Sequence, residues 1–212
     1  MAERNRLRRA GDRGWLLESD ERAVTGIALA VREQDWAGLV AEVVPAARTV
    51  LITAKKAAHT EQIGSLLQKM LTEHGEDDEP ASSGRTVEIP VRYDGPDLGA
   101  VADALDMSTA EVVAAHTCAA HVVEFFGFAP GFAYIDGLPE TLSLPRRPSP
   151  RTRIEAGSVA IAGNHTVVYP GTTPGGWHLI GRTEERLWDP HGAPPNRLSI
   201  GDRVVFKAVH PC

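Results

Sequence analysis

Two histidines, His116 and His165, are the titratable pair with which this chain could move protons. His116 sits just before Thr117-Cys118, where a helix is expected to end, and the helix dipole there would favour the protonated imidazole. It reads either as an acid/base or donor group or as a plain C-terminal cap. Cys118 reads as a nucleophile with His116 as its base or as a buried structural thiol, although an i, i+2 pair does not fix the first geometry. Further on, Arg146, Arg147, Arg151 and Arg153 stand on a proline-stiffened backbone, where guanidinium forks suit carboxylate, phosphate or carbamate oxygens. Charge balancing on the surface is the other reading, and accounts for at least two of the four. Between and beyond lie two glycine loops, Pro130-Gly131 and Gly175-Gly176. Their amides could face an anion or a polarised carbonyl, and Phe128, Phe132, Tyr169 and Trp177 flank them.

These groups need a scaffold that holds loops rigid. From Gly127 to Gly181, 16 of 55 residues are Gly or Pro, so no long helix can run there. The same stretch is rich in aromatic and β-branched residues, which a linker lacks. Short buried strands joined by shaped loops are expected, among them Gly157–Gly163, whose small side chains permit close approach. Upstream, Ser108-Thr109-Ala110-Glu111 is a capping box that opens a helix from about Thr109 to Ala115. Asp97 is positioned to cap the helix before it. A strand is expected at Val87–Val91, and another from Val122 to Phe128.

In the first part, Trp15–Leu17 reads as a strand and Asp20 as the cap of a helix through Ile27, Leu29, Ala30 and Val31. Val40–Val44 and Thr49–Thr53 read as two further strands. Ile63, Leu66, Leu67, Met70 and Leu71 form one helical stripe. Strand, helix, strand, strand, helix, and then the strand at Val87–Val91 match a split βαβ sandwich. The arginines of the first 13 residues read as a solvated, poorly ordered arm, and residues 76–84 as an acidic linker. The expected domains are thus 1–84 and 85–212.

Composition narrows the function classes. The net charge of −6 disfavours nucleic acid and anionic membranes as partners. Two distant cysteines make no disulfide framework, no apolar run is long enough to span a bilayer, and the basic N-terminus lacks a signal-peptide core. A cytoplasmic protein is expected. Eight scattered histidines give no metal-ligand spacing, so no metal is expected; no phosphate-binding loop or kinase motif occurs either. Asn164-His165-Thr166 fits a glycosylation sequon, idle without a secretory signal.

Taken together, His116-Thr117, the GFAPGFAY run from Gly127, Leu138-Pro139, Pro145-Arg146, Pro150-Arg151, GSVAIAG from Gly157, Tyr169-Pro170 and PGGWHLIG from Pro174 resemble a bacterial family. It is the B-type subunit of the ATP-dependent 5-oxoprolinase, also called allophanate hydrolase subunit 1, and it includes the Kip-type sporulation kinase inhibitor. It is similar too to part of the carboxyltransferase domain of urea carboxylase. The resemblance implies an α+β chain: a small ferredoxin-like α/β sandwich, then a cyclophilin-like β-barrel carrying the site. It implies ring opening of 5-oxoproline, a small-molecule substrate, to glutamate by a chain inactive alone. Its companions would be the C-type subunit (allophanate hydrolase subunit 2 type) and the A-type subunit, with ATP as co-substrate on a shared or partner site. On this reading His116 and His165 are the catalytic candidates. Phe128, Pro130, Gly131, Phe132, Arg146, Arg151, Asn164, Tyr169, Gly175, Gly176 and Trp177 line the substrate. The family also implies two other functions, inhibition of a sensor histidine kinase and carboxyl transfer with a biotin carrier. Where relatives usually carry Gly-Gln-Thr-Gly, this chain has Asn164-His165-Thr166-Val167, so His165 replaces a glutamine; the segment between Tyr93 and Asp97 is also short.

Overall fold

The computed structural model describes residues 5–34, 36, 38–73 and 84–209. The chain divides into two compact units, Met1–Ser82 and Ser83–Cys212, each with its own hydrophobic core. The acidic run, apart from Gly84, lies outside the described residues.

The first unit runs β1 (Arg6–Ala10), β2 (Gly14–Glu18), α1 (Glu21–Glu33), β3 (Val40–Pro45), β4 (Thr49–Ala54) and α2 (Thr60–Glu73). Its sheet has the order β1-β2-β4-β3, with every neighbouring pair antiparallel. β2 and β3 are therefore parallel with β4 inserted between them, which is the split βαβ arrangement. Alternation along β4 buries Val50, Ile52 and Ala54 against Val24, Ala28 and Val31 of α1 and Ile63, Leu67 and Met70 of α2. The helical stripe is thus a core face. Gly64 lets α2 lie on Trp15, because a Cβ there would sit 2.5 Å from the indole.

Two expectations fail here. Residues 1–4 of the arginine-rich segment lie outside the described residues; the rest is not a loose arm, since Arg6–Ala10 pairs residue for residue with β2 and fills the sheet edge. Arg8 also meets Glu18, which removes part of its charge cost. The strand at Val87–Val91 does form, but within the second unit, so β1 holds the edge that it would have taken.

That second unit runs β5 (Thr86–Val91), α3 (Leu98–Ala104), α4 (Thr109–Cys118), β6 (His121–Phe126), β7 (Ala133–Asp136), β8 (Arg151–Ile154), β9 (Ser158–Ala162), β10 (His165–Val168), β11 (Thr173–Gly175), β12 (His178–Arg182) and β13 (Arg203–Ala208). Seven strands follow the order β12-β9-β10-β7-β6-β13-β5, with β13 and β5 the parallel pair. The two ends meet: Arg92 and Arg182 exchange both backbone hydrogen bonds at 2.9 Å and bring the sheet round into a barrel. β8 and β11 form a separate antiparallel ribbon.

The sheet has two apolar faces. Val159, Ile161 and Val168 join the cluster shared with α3, α4 and Phe206. The alternate residues Ala160, Ala162, Val167 and Tyr169 join Phe132, Ile154, Trp177 and Leu179 on the other side. The capping box of α4 forms as its sequence predicts: Glu111 N–H donates to Ser108 Oγ (3.2 Å) and Ser108 N–H to Glu111 Oε2 (2.8 Å). Cys118, expected to be buried, is exposed on the last turn of α4.

Candidate functional site on the outer aromatic face of the barrel

A β-bulge creates the polar centre of the second face. Val123 pairs with Ile135, yet Phe125 pairs with Tyr134, so Glu124 is the extra residue on β6. The bulge turns Glu124 and Phe125 to the same side, whereas Val123 and Phe126 pack on the α4 side. Glu124 Oε2 then lies 2.6 Å from His165 Nε2 on β10, with side-chain exposures of 9% and 13%. Asp136, next on that face of β7, completes a group whose donor atoms lie within 4.8 Å of one another. Asn164 Nδ2 donates to Asp136 Oδ1 at 3.1 Å.

Aromatic rings wall this centre. Phe125 stacks on Tyr134 at 4.3 Å, and both set an edge or face against the His165 ring at 5.9 and 5.7 Å. Tyr134 also touches Phe132 and Trp177, so one ring links the imidazole to the far wall. Over Trp177 sits the Arg146 guanidinium, 5.3 Å from the ring centroid.

The Phe128–Phe132 loop is shaped by two turns. Ala129 N–H donates to Gly127 O (2.8 Å), closing a three-residue turn with Phe128 at φ +66°; Phe132 N–H donates to Ala129 O (3.0 Å) across Pro130-Gly131, with Gly131 at φ +75°. The second is the type II geometry that Pro-Gly predicts. The first holds a bulky residue at positive φ, a strained state that is common at functional sites. It projects Phe128 outward, 65% exposed. Gly127, Ala129 and Phe132 use their amides inside the loop; those of Phe128 and Gly131 have no partner among the described residues. A Cβ on Gly131 would meet Trp188 at 2.5 Å, and one on Gly175 would meet the Tyr169 hydroxyl at 2.2 Å. That hydroxyl is buried without a hydrogen bond, and burial pushes its pKa up to about 12 against the opposing charge of Arg146.

Arg151 is engaged by Asp97. Its Nη1 and Nη2 both donate to Asp97 at 2.8 Å, Arg147 donates at 2.6 Å, and Leu179 N–H adds a fourth bond at 2.8 Å. Burial alone would raise the Asp97 pKa, but the Arg151 hydrogen bonds, the Leu179 amide and both guanidinium charges bring it below the ordinary value. Asp97 precedes α3 but makes no side-chain cap; it anchors the arginine segment instead. Arg153 pairs with Glu155 at 2.7 Å. Arg146 is thus the arginine of the four without a carboxylate partner among the described residues.

His116 is equally occupied. It is fully buried, with Nδ1 2.7 Å from the Tyr93 hydroxyl and Nε2 3.0 Å from Thr166 Oγ1. Desolvation, then the neighbouring His121, push its pKa down to about 3, so burial overrides the helix dipole that favoured the cation. Thr166 and His165 are consecutive on β10 and face opposite sides; the two histidines do not converge. With both His116 nitrogens hydrogen-bonded inside the core, His116 cannot serve exposed Cys118 as a base.

The structure therefore brings together His165, Phe132, Tyr169, Trp177 and Arg146, with Asn164 at one margin. Phe128, Pro130 and Gly131 form the loop beside them, while Gly175 and Gly176 seat Tyr169 and Arg147. Glu124 and Asp136 escaped the sequence reading, in which Phe125 and Tyr134 figured only as aromatic residues of the strand and loop. Tyr134 and Asp136 alternate with apolar neighbours and could have been paired by period; the bulge that selects Glu124 leaves no sequence mark.

The sequence and fold place the chain in a known class. Residues 5–198 match the model of the carboxyltransferase domain, subdomain C and D, and the chain belongs to that family. Within it, the chain is similar to the 5-oxoprolinase B-type subunit of Bacillus subtilis (46% identical over 68% of this chain and 60% of that protein). It is similar also to the protein of the same name from Escherichia coli O157:H7 (50% over 60% and 59%). The matched segments span about 60% of those curated relatives. Among solved structures, TTHA0988 superposes with a TM-score of 0.74 at 37% identity, over 94% of this chain and 40% of that one. The Kluyveromyces lactis urea carboxylase superposes with 0.69 at 19% identity, over 97% and 22%, which is a likeness of fold. No helix among the described residues is long and apolar enough to cross a membrane.

Proposed function

We propose that this chain is the B-type component of a 5-oxoprolinase-type hydrolase and that its aromatic barrel face forms one wall of the shared site. The observation that carries the reading is the similarity, at 46% and 50% identity, to proteins named as that 5-oxoprolinase component. The geometry suits hydrolysis of a cyclic amide. Adding water across the C–N bond requires one proton to leave the attacking water and one to reach the departing nitrogen. His165 can hold the attacking water or the departing nitrogen by a hydrogen bond at Nδ1, as the glutamine of the resembling family could, because Glu124 occupies Nε2 and fixes ring and tautomer. Arg146 over Trp177 offers a cation to the substrate carboxylate, and the free amides of the Phe128–Gly131 loop are donors for a developing oxyanion. ATP would activate the amide oxygen on a site shared with, or carried by, companion subunits.

The test is oxoproline-dependent ATP hydrolysis and glutamate release by the reconstituted complex, with this chain present and omitted. Turnover is expected only in the full mixture; equal turnover without the chain would overturn the proposal. The family model and the urea carboxylase fold favour one second reading, carboxyl transfer. It requires a biotinylated partner, which a streptavidin blot of the native complex would detect.

A further inference from the structure

We infer that Glu124, Asp136 and His165 form a site for a divalent first-row metal ion of the Mn²⁺ or Zn²⁺ class. One donor atom from each lies within 4.8 Å of the others. Ligands held about 2.0–2.2 Å from a shared ion stand roughly 3–4.4 Å apart. The Glu124–His165 contact, now a 2.6 Å hydrogen bond, would need to widen by about 0.4–1.8 Å to admit the ion, about 1 Å at a tetrahedral angle.

Rigid elements present the three groups. They come from β6, β7 and β10, which are consecutive in the sheet order, and the bulge at Glu124 turns its carboxylate onto this face. A site on paired strands holds its geometry better than one on loops. Each outer contact also serves a ligand. Asn164 donates to Asp136, and Phe125 and Tyr134 clamp the His165 ring; such second contacts orient metal ligands.

Charge points the same way. Two carboxylates converge on one imidazole in a half-buried setting, and Asp136 makes no ion pair among the described residues. One nitrogen and two oxygens, with no thiolate, fit Mn²⁺, Fe²⁺ or Zn²⁺ rather than soft Cu⁺. Three protein ligands leave coordination positions open toward solvent, as in a reactive rather than a structural site. The inference does not rest on the hydrolase reading, since it needs only these three strands.

The purified full chain, dialysed against chelator, would be titrated with MnCl₂, and free Mn²⁺ read by electron paramagnetic resonance. Manganese avoids the exposed Cys118 thiol, which could capture zinc. One saturable equivalent is expected, weakened about tenfold or more by Asp136→Asn and by His165→Gln. Glu140→Gln, an exposed carboxylate elsewhere on the barrel unit, should leave binding unchanged. Asp136→Asn is the deciding variant: it is isosteric, on a half-buried side chain, and its fold can be checked by thermal melting. No saturable binding, or equal affinity in Asp136→Asn and the parent chain, overturns the inference.

Discussion

His116 and His165 lie on opposite faces of one strand, and their surroundings divide their roles. His165 meets a carboxylate on a face that reaches solvent, while His116 is sealed between Tyr93, Thr166 and Phe206. Because the folded pKa of His116 is about 3 against an ordinary 6.5, only the unfolded chain binds its proton between those values. The unfolding free energy is therefore undiminished above pH 6.5 and falls as pH drops towards 3. His121, also lowered by burial, acts in the same direction. Denaturant midpoints at about pH 7.5 and about pH 5 should differ clearly in the parent chain and differ less in His116→Phe. That variant should also be less stable at the higher pH, by about 1–3 kcal/mol, with two hydroxyls unpaired. An unchanged acid slope would place the titration elsewhere. Asp97 makes a second prediction. Asp97→Ala leaves Arg147 and Arg151 without their carboxylate, and should cost about 3 kcal/mol, the low end for breaking a buried pair, since both arginines keep some solvent. A loss below about 0.5 kcal/mol, the scale of a surface pair, would show that the anchor is not needed.

Local rules explain the elements that they alone control. The capping box, the α2 stripe and the Pro-Gly turn were legible because each is written within about two helical turns of chain. Other features depend on partners distant in sequence. Nothing near Asp97 reveals that residues 147, 151 and 179 converge on it, so it resembled a helix cap. The basic segment looked solvated because its pairing with β2, and the Arg8–Glu18 contact, exist only in the sheet. Glu124 was hidden for the same reason, since a bulge is a property of two strands in register. The Phe128–Phe132 loop supplies the prediction at this scale. Gly131→Ala places a side chain at φ +75° and against Trp188, which should cost about 1–3 kcal/mol. It should also blunt activity of the complex by moving the loop beside Phe132. A variant with parental melting temperature and turnover would show that the turn is not under this constraint.

At the level of the whole chain, two separate cores predict two unfolding events. Ile52→Ala removes a fully buried side chain from the first core and should cost that unit about 2–5 kcal/mol. Calorimetry should show one transition moving down while the other stays; a single transition shifting as a unit would contradict this. The resemblance read from the motif set carried the fold class further than composition could, because the motifs span strands of the barrel and the turns between them. It carried the site less well. Of the two catalytic candidates it offered, His116 is part of the core, and the outer face kept His165 with a carboxylate partner that no motif named. The most direct test of that assignment compares two variants in the reconstituted complex: His165→Gln keeps a hydrogen-bond donor, and His165→Ala removes it. Oxoproline-dependent ATP hydrolysis should fall by about tenfold or more in His165→Ala and stay within about threefold of the parent chain in His165→Gln, whereas turnover within about twofold of the parent chain in His165→Ala would contradict the role given to His165.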